Sequence, residues 1–432
     1  WYQRRVRGML IISSCLFEEV LKILTLADIH YDPLYKNDAG AENDRCRQSS
    51  GALSAPAGRI GCDSPINLID KAVANSAEHG PYDLIFTMGD LPAHGLIQSY
   101  PTYNDRNLSN NATKYVANLI HNQYPNNMIL GVLGNNEGDG NYNYSTINNS
   151  ARLRELYYDC GYNHLTNNNP KFLEFGYYSQ DTKHNITIIA LNQNFYTKKA
   201  QPQVGNQSDP GAQFKFLEAE LQRLNKTRQQ AIILYHGSFG VNGFDSRTNT
   251  MDTFTEQYAA IVKKFKNVVI CEFIGHYHQD QFRYRMDGRR AYGPGFLVPS
   301  ISPNNGNNPG FRIVQLRREN GIWKLDDYEQ YFLDLNIANY NVSQGLEFNF
   351  KFQYKFSEFY ALFVENSKKA QPNVRNIQYL NDQMRVDDEL YSRWIATSNL
   401  WYSPQMAENY CAIDSISQAE YKECVRKFKF DK

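Results

Sequence analysis

The 432-residue chain carries 45 basic and 45 acidic residues, a formal net charge of zero at neutral pH. It contains no polybasic block, which argues against polymeric nucleic acid as a partner, and no apolar run near the roughly 18 residues of a membrane span. The length allows a large buried core, enough for one big catalytic domain and an appendage.

Taken in chain order, Arg4, Arg5 and Arg7 precede the short apolar stretch Met9–Phe17. That order predicts a secretory signal peptide over residues 1–20, with a buried first strand or helix as the competing reading. The first core strand is expected over Ile23–Asp28, followed by a long loop to about Ile66. Within that loop Cys46 and Cys62 flank a Gly-, Ala- and Ser-rich segment and read as a local disulfide, as do Cys411 and Cys424 near the C-terminus. Cys160 and Cys271 could pair, although Cys271 lies in an apolar strand and reads equally as a free buried thiol. Helices are expected over 67–79, 105–123 and 150–159, and a polar linker over 202–210. An amphipathic helix over 211–224 would put Phe214, Leu217 and Leu221 on one face, and another helix should cover 254–266. Strands at 292–299, 310–315 and 323–331 complete a strand–helix alternation that suits two packed sheets with helices outside. Residues 21–335 thus form the expected catalytic domain. The C-terminal region 336–432 reads as a helical cap, with helices over 386–401 and 417–428. Its aromatic-rich stretch 348–363 is better explained by core packing than by a membrane-facing patch.

The 45 asparagines cluster in loops, and eight Asn-x-Ser/Thr sites occur, at Asn107, Asn111, Asn143, Asn148, Asn185, Asn206, Asn225 and Asn341. Together with the cysteine spacing they point to an oxidising route, and so to a secreted or lysosome-like location.

Chemistry-bearing residues recur where apolar runs end. Asp28 and His30 follow Ile23–Leu26, Asp90 follows Leu84–Met88, and Asn135 follows Met128–Leu133. His236 follows Ala231–Tyr235, and His276 and His278 follow Val268–Ile274. Short β-rich runs of this kind read as buried strands of an α/β protein, whose ligand sites lie at strand ends. Imidazoles, carboxylates and one amide suit Zn²⁺, Mn²⁺ or Fe, and two ions roughly 3.5–4 Å apart can clamp a phosphoryl group. A lone histidine after a strand is usually structural, and His79, His121, His164 and His184 are assigned that role. Five elements in order, each at a strand terminus, are much harder to obtain by chance.

Asp-x-His, Gly-Asp, Gly-Asn, His and Gly-His-x-His in this order resemble the motifs of the calcineurin-like metallophosphoesterases. GDLPAH (Gly89–His94), ALNQNFY (Ala190–Tyr196) and PSISPNNGNNPGFRIVQL (Pro299–Leu316) narrow the resemblance to the acid sphingomyelinase-like phosphodiesterases. It spans about Ile23 to Asp334 and implies an α/β fold, the four-layer α-β-β-α metallophosphatase sandwich. Carried over residue by residue, it implies that Asp28, His30 and His278 hold one metal. Asn135, His236 and His276 hold the other, and Asp90 bridges them. Two divalent ions sharing one water would supply a nucleophile at mild pH. Purple acid phosphatases place a metal-binding Tyr where this chain has Ala93, so two Zn²⁺ ions are expected rather than a ferric-tyrosinate site.

The departure lies in GNNEG: the family's leaving-group histidine is replaced by Asn136, an amide that cannot release a proton. His94 is then the one motif histidine left as general acid, a structural loop-capping role being the alternative. The resemblance implies a dinuclear metal-dependent phosphodiesterase. It would hydrolyse phosphodiester or pyrophosphate bonds of nucleotides or phospholipid head groups, sphingomyelin among them. Only about twenty residues precede Ile23, without the lipid-presenting domain of true sphingomyelinases, so small soluble substrates are expected over lipid within a bilayer. The alternative is a metal-loaded pseudoenzyme that binds a phosphorylated ligand. A phosphoprotein phosphatase is disfavoured because GDLPAHG lacks that class's GD-x-x-DRG and its phosphate-clamping Arg.

Overall fold

Two six-stranded sheets organise the chain in the computed structural model, which describes residues 19–42, 45–97, 105–200, 204–242, 247–364, 370–398 and 410–431. Almost all of the expected signal segment lies outside the described residues. In spatial order the first sheet runs Lys351–Lys355, Ile322–Phe332, Gly310–Glu319, Glu19–Leu26, Leu84–Thr87 and Met128–Gly131. The second runs Gln281–Asp287, Arg290–Leu297, Val269–Ile274, Gln230–Tyr235, Ile186–Ala190 and Tyr178–Asp181. The central strands pair in parallel: 19–26 with 84–87 and 128–131 in the first sheet, and 186–190, 230–235, 269–274 and 290–297 in the second. Parallel strands are covered on both faces, so their sequences are continuously apolar rather than alternating. Leu84–Thr87 and Val269–Ile274 are buried at every position.

The sheets face each other across one core in which Phe86 and Phe273 approach to 5.8 Å between ring centroids. Outside the first sheet, helix Ile66–Glu78 buries Leu68, Ile69, Ala72 and Val73. Helix Arg106–Gln123 buries Val116, Ala117 and Ile120, and Asp105 caps it by accepting from Leu108 N–H. Outside the second sheet, helix Gln213–Thr227 buries Phe214, Leu217 and Leu221 on one face, as their spacing implies, and helix Asp252–Lys264 buries Phe254, Tyr258 and Val262. The result is the four-layer sandwich.

The C-terminal region is helical over Val374–Gln383, Asp388–Ser398 and Gln418–Asp431, and it also donates the edge strand Lys351–Lys355 to the first sheet. Phe348, Phe350, Tyr354, Phe356 and Tyr360 are buried in the main core, so most of the aromatic stretch is packing, while Phe352 is exposed. Among the described residues two disulfides form, Cys46–Cys62 and Cys411–Cys424. Cys160 and Cys271 do not pair; each is a free thiol buried in the core. In the segment 190–196 the strand ends at Ala190 and a 3-10 turn occupies Gln193–Tyr196. Gln193 there donates to Thr250, and Asn194 donates to the carbonyls of Leu133 and Gly134 beside the Gly-Asn motif.

Candidate metal centre

Parallel pairing points the C-terminal ends of the central strands in one direction, and the motif residues sit just beyond them. The loops that carry them zip together: Asp28 N–H donates to Gly89 O, His30 N–H to Asp90 O and Tyr31 N–H to Leu91 O. Close approach depends on two glycines. A Cβ on Gly89 (φ +83°) would lie 2.4 Å from Gly134 N, and one on Gly134 would lie 2.1 Å from Asp90 Oδ1. Asp28, His30, Asp90, His276 and His278 all adopt positive φ, between 47° and 72°. Such a conformation costs energy for non-glycine residues and persists where the surroundings over-determine it, which is common at functional sites.

Asp28, His30, Asp90, Asn135, His236 and His278 are buried and converge on one cluster, with His276 half-buried at its rim. His30 Nδ1 faces Pro92 O at 3.2 Å and His236 Nδ1 faces Met88 O at 2.6 Å. A carbonyl only accepts, so each Nδ1 carries the proton and each Nε2 turns a lone pair inward. His30 Nε2 lies 3.1 Å from His278 Nε2, and His236 Nε2 lies 3.0 Å from Asn135 Oδ1. The Asn135 amide nitrogen donates outward to Asn141, which fixes its oxygen as the inward atom. Asp28 Oδ1 is 3.6 Å from His278 Nε2. Asp90 Oδ2 stands between the two groups, 3.6 Å from His30 Nε2 and 3.2 Å from His236 Nε2. Two nests of inward-facing acceptors that share one carboxylate are the donor set a pair of divalent cations requires.

The electrostatics express the same demand. Burial pushes the Asp28 carboxyl up to about 8, with the neighbouring Asp90 charge adding to it. Burial opposes protonation of His236, yet the Asp90 carboxylate outweighs it and lifts the imidazole to about 10. Burial draws His30 down to about 4 and holds His276 and His278 well below the usual imidazole range. Positive charge is wanted between the carboxylates, and most of the imidazoles are held neutral, the form that ligates metal.

His94 also lies within reach of His30 and Asp90, at the exposed edge of the cluster, and Asn136 sits against Asp90. His94 stacks on His30 with centroids 4.0 Å apart, one quarter of its side chain exposed. Its Nδ1 contacts Asp63 Oδ1 at 2.9 Å, and its backbone N–H donates to Asp63 Oδ2 at 2.9 Å. Burial works against its protonation, but the Asp63 carboxylate prevails and the imidazole sits above its ordinary value. Asn136 instead gives its amide to Asp90.

Asp63, Glu137 and Tyr142 are site residues that the motifs did not single out. Glu137 is fully buried and accepts from Leu91 N–H at 2.6 Å; burial, then the Asp90 charge, raises its carboxyl to about 7. The Tyr142 hydroxyl meets His276 Nε2 at 2.9 Å. Asp63 follows Cys62 directly and Glu137 follows Asn136, so each neighbours a residue that did attract notice. His79, His121, His164 and His184 lie elsewhere: His121 stacks on His164, His79 packs on Tyr331, and His184 meets Glu19.

The calcineurin-like phosphoesterase family matches residues 21–280. Bovine (Bos taurus) cyclic GMP-AMP phosphodiesterase SMPDL3A is 26% identical over 99% of this chain and 96% of its own length. Bovine sphingomyelin phosphodiesterase is 26% identical over 74% of this chain, and the chain spans 52% of that protein. Sphingomyelin phosphodiesterase A of Dictyostelium discoideum is 25% identical over 93% of this chain and 67% of its own length. Among solved structures, a dimetal phosphatase from Danio rerio aligns with a TM-score of 0.45 at 13% identity, over 72% of this chain and 95% of that one.

Proposed function

The chain belongs to the calcineurin-like phosphoesterases, and from that premise we propose that it is a dinuclear zinc phosphodiesterase of the acid sphingomyelinase-like type. It would act on small phosphodiester or pyrophosphate substrates, nucleotides or phospholipid head groups. One observation carries the reading: Asp90 Oδ2 reaches both His30 and His236, so a single carboxylate serves two acceptor nests. In this reading Asp28, His30 and His278 hold one ion, Asn135, His236 and His276 the other, and Asp90 is shared. When bound, the ions supply a nucleophilic oxygen and neutralise the phosphoryl charge.

The chain's own side chains do the remaining work. Met88 and Pro92 carbonyls orient His236 and His30, and Asn141 orients Asn135. His94, charged through Asp63 and open to solvent along one edge, gives a proton to the leaving oxygen. Two disulfides support passage through an oxidising compartment and a secreted or lysosome-like location. Among the described residues no helix is long and apolar enough to cross a membrane. The relatives named for cyclic GMP-AMP and sphingomyelin support phosphodiesters as the substrate class.

The test is metal analysis of the purified protein together with turnover of bis(p-nitrophenyl) phosphate. About two zinc ions per chain and turnover lost on chelation and restored by zinc are expected; protein without bound metal sinks the reading. Asp90→Asn should abolish both metal retention and turnover. A second reading, a metal-loaded protein that binds a phosphorylated ligand without processing it, is favoured by Asn136, which has no proton to give. Tight nucleotide binding with no hydrolysis over hours would select it.

A further inference from the structure

Three imidazoles turn Nε2 into the metal centre, and two of them are held from behind. His30 and His236 each meet a main-chain carbonyl through Nδ1, at 3.2 and 2.6 Å. His278 Nε2 lies 3.1 Å from His30 Nε2 and 3.6 Å from Asp28 Oδ1, so its Nδ1 points away from the cluster. That Nδ1 is buried and has no hydrogen-bond partner among the described residues. A neutral imidazole that ligates through Nε2 carries its proton on Nδ1, and a buried donor left unmatched is costly.

An unmatched acceptor faces the same space. His278 and Asn307 both line a cavity of about 30 Å³, which exceeds the roughly 10–15 Å³ that one water needs. Asn307 is buried, and its amide nitrogen donates to Ser300 Oγ at 2.8 Å, Ser302 O at 3.1 Å and Asn308 O at 3.1 Å. Three acceptors around the nitrogen fix which way the amide faces. Its Oδ1 is buried and has no partner among the described residues. The segment is tied to the metal centre, because Ile301 N–H donates to Ala27 O and Ser302 N–H to Asp28 O, each at 3.0 Å. Asp280 and Gln330 also line the cavity but are engaged elsewhere. Arg312 and the Tyr354 hydroxyl take the two Asp280 oxygens, and Gln330 serves Arg312 and the carbonyls of Phe311 and Tyr331.

We propose that Asn307 is the positioning residue of His278: one buried water accepts from His278 Nδ1–H and donates to Asn307 Oδ1. The link aims Nε2 at the ion that Asp28, His30 and His278 would hold, as the Pro92 carbonyl does for His30. It rests on the dinuclear reading of the site. The two ends of the Asn307 amide then act separately. The nitrogen holds the loop 300–308 together, and the oxygen serves the metal ligand.

The test separates those two ends in the full-length protein. Asn307→Ala removes both, whereas Asn307→Asp loses the nitrogen and keeps an acceptor. Urea unfolding of the metal-free protein should show both variants less stable than wild type, since both lose the same donor. Zinc retention, read by competition with a chromogenic chelator, should divide them. Asn307→Ala should weaken it about 10–100-fold, the usual worth of an outer partner to a ligating histidine. Asn307→Asp should recover most of that loss, because a carboxylate behind a ligating imidazole also accepts its proton. A crystal structure of zinc-loaded wild type should show one water within hydrogen-bond distance of both His278 Nδ1 and Asn307 Oδ1. If wild type retains zinc and Asn307→Ala retains it equally, the assignment is overturned while the dinuclear reading stands. Asn307→Asp as weak as Asn307→Ala would reduce Asn307 to a loop anchor, and a different acceptor on His278 Nδ1 in the crystal would also overturn the proposal. Wild type without bound zinc would instead remove the dinuclear reading itself.

Discussion

Asn136 holds Asp90 by both carboxylate oxygens, its backbone N–H donating to Oδ1 and its side-chain amide to Oδ2, each at 2.8 Å. Because Asp90 stands between the two acceptor nests, its orientation sets the reach of both. An outer partner that fixes a ligating carboxylate is typically worth about 10–100-fold in metal affinity. Asn136→Ala should weaken zinc retention by about that factor, read by competition with a chromogenic chelator. Asn136→Asp should weaken it further, since two carboxylates would then face each other. Unchanged retention in both variants would show that the amide does not orient the ligand.

In the proposed mechanism His94 gives the leaving oxygen its proton and Asn136 gives none, so the leaving group decides the rate. Aryl phosphodiesters depart without a proton, whereas alkoxides need one, and a general acid contributes about 10²–10⁴-fold where it is needed. His94→Ala should therefore depress kcat/KM for an alkyl diester by at least about 10²-fold more than for an aryl diester. Asn136→His should raise the alkyl-to-aryl ratio, provided the new imidazole is free of Asp90. A ratio that ignores both substitutions would remove proton donation from this side of the site.

Much of this candidate site is legible in the sequence because the residues proposed to hold metal obey a local rule: each follows an apolar run that becomes a buried strand. Asp28, His30, Asp90, Asn135, His236, His276 and His278 can all be found that way. What cannot be found is contact between loops. Asp63 meets His94 across a disulfide-bound loop, and Asn136 reaches Asp90 between two strand ends; neither pairing has a period or a spacing. The same limit applies to the edge strands Tyr178–Asp181 and Gln281–Asp287. One is short and polar and the other carries Arg283 and Arg285, whose burial follows from tertiary partners such as Glu272. Propensity yields there to packing.

The Asp63–His94 pair fixes a pH window. Burial raises Asp63, but the His94 charge and hydrogen bond outweigh it, so the folded carboxyl lies below its ordinary 3.8. Its contribution is present above that value and is lost as pH falls through the lower folded one. His94 lies above its ordinary 6.5, so its contribution is complete below that value and is lost as pH rises through the higher folded one. The pair is at full strength between about pH 4 and 6.5. Asp63→Asn should destabilise the protein most at pH 5.5 and least at pH 8.5 in paired urea titrations. The same variant should move the alkaline fall in alkyl-diester turnover to lower pH, because His94 loses the charge that raises it. A constant stability gap at the two pH values would count against the pair.

Arg312, on strand Gly310–Glu319 of the first sheet, is fully buried and reaches Asp280, two residues beyond His278. It also donates to Leu297 O and Gln330, and its guanidinium lies 4.1 Å from the centroid of the Tyr328 ring. The Tyr354 hydroxyl also donates to Asp280. Removing one partner of a buried ion pair leaves an uncompensated charge and costs about 3–5 kcal/mol, whereas replacing both by neutral groups of similar volume costs far less. Arg312→Ala should lower the unfolding free energy by about that amount. It should also loosen zinc, since the backbone that aims His278 runs directly into Asp280. Arg312→Met combined with Asp280→Asn should recover most of the stability. Urea unfolding with and without zinc separates the two effects. If Arg312→Ala is as stable as wild type, or if the double variant is worse than the single one, the ion pair does not anchor the His278 loop.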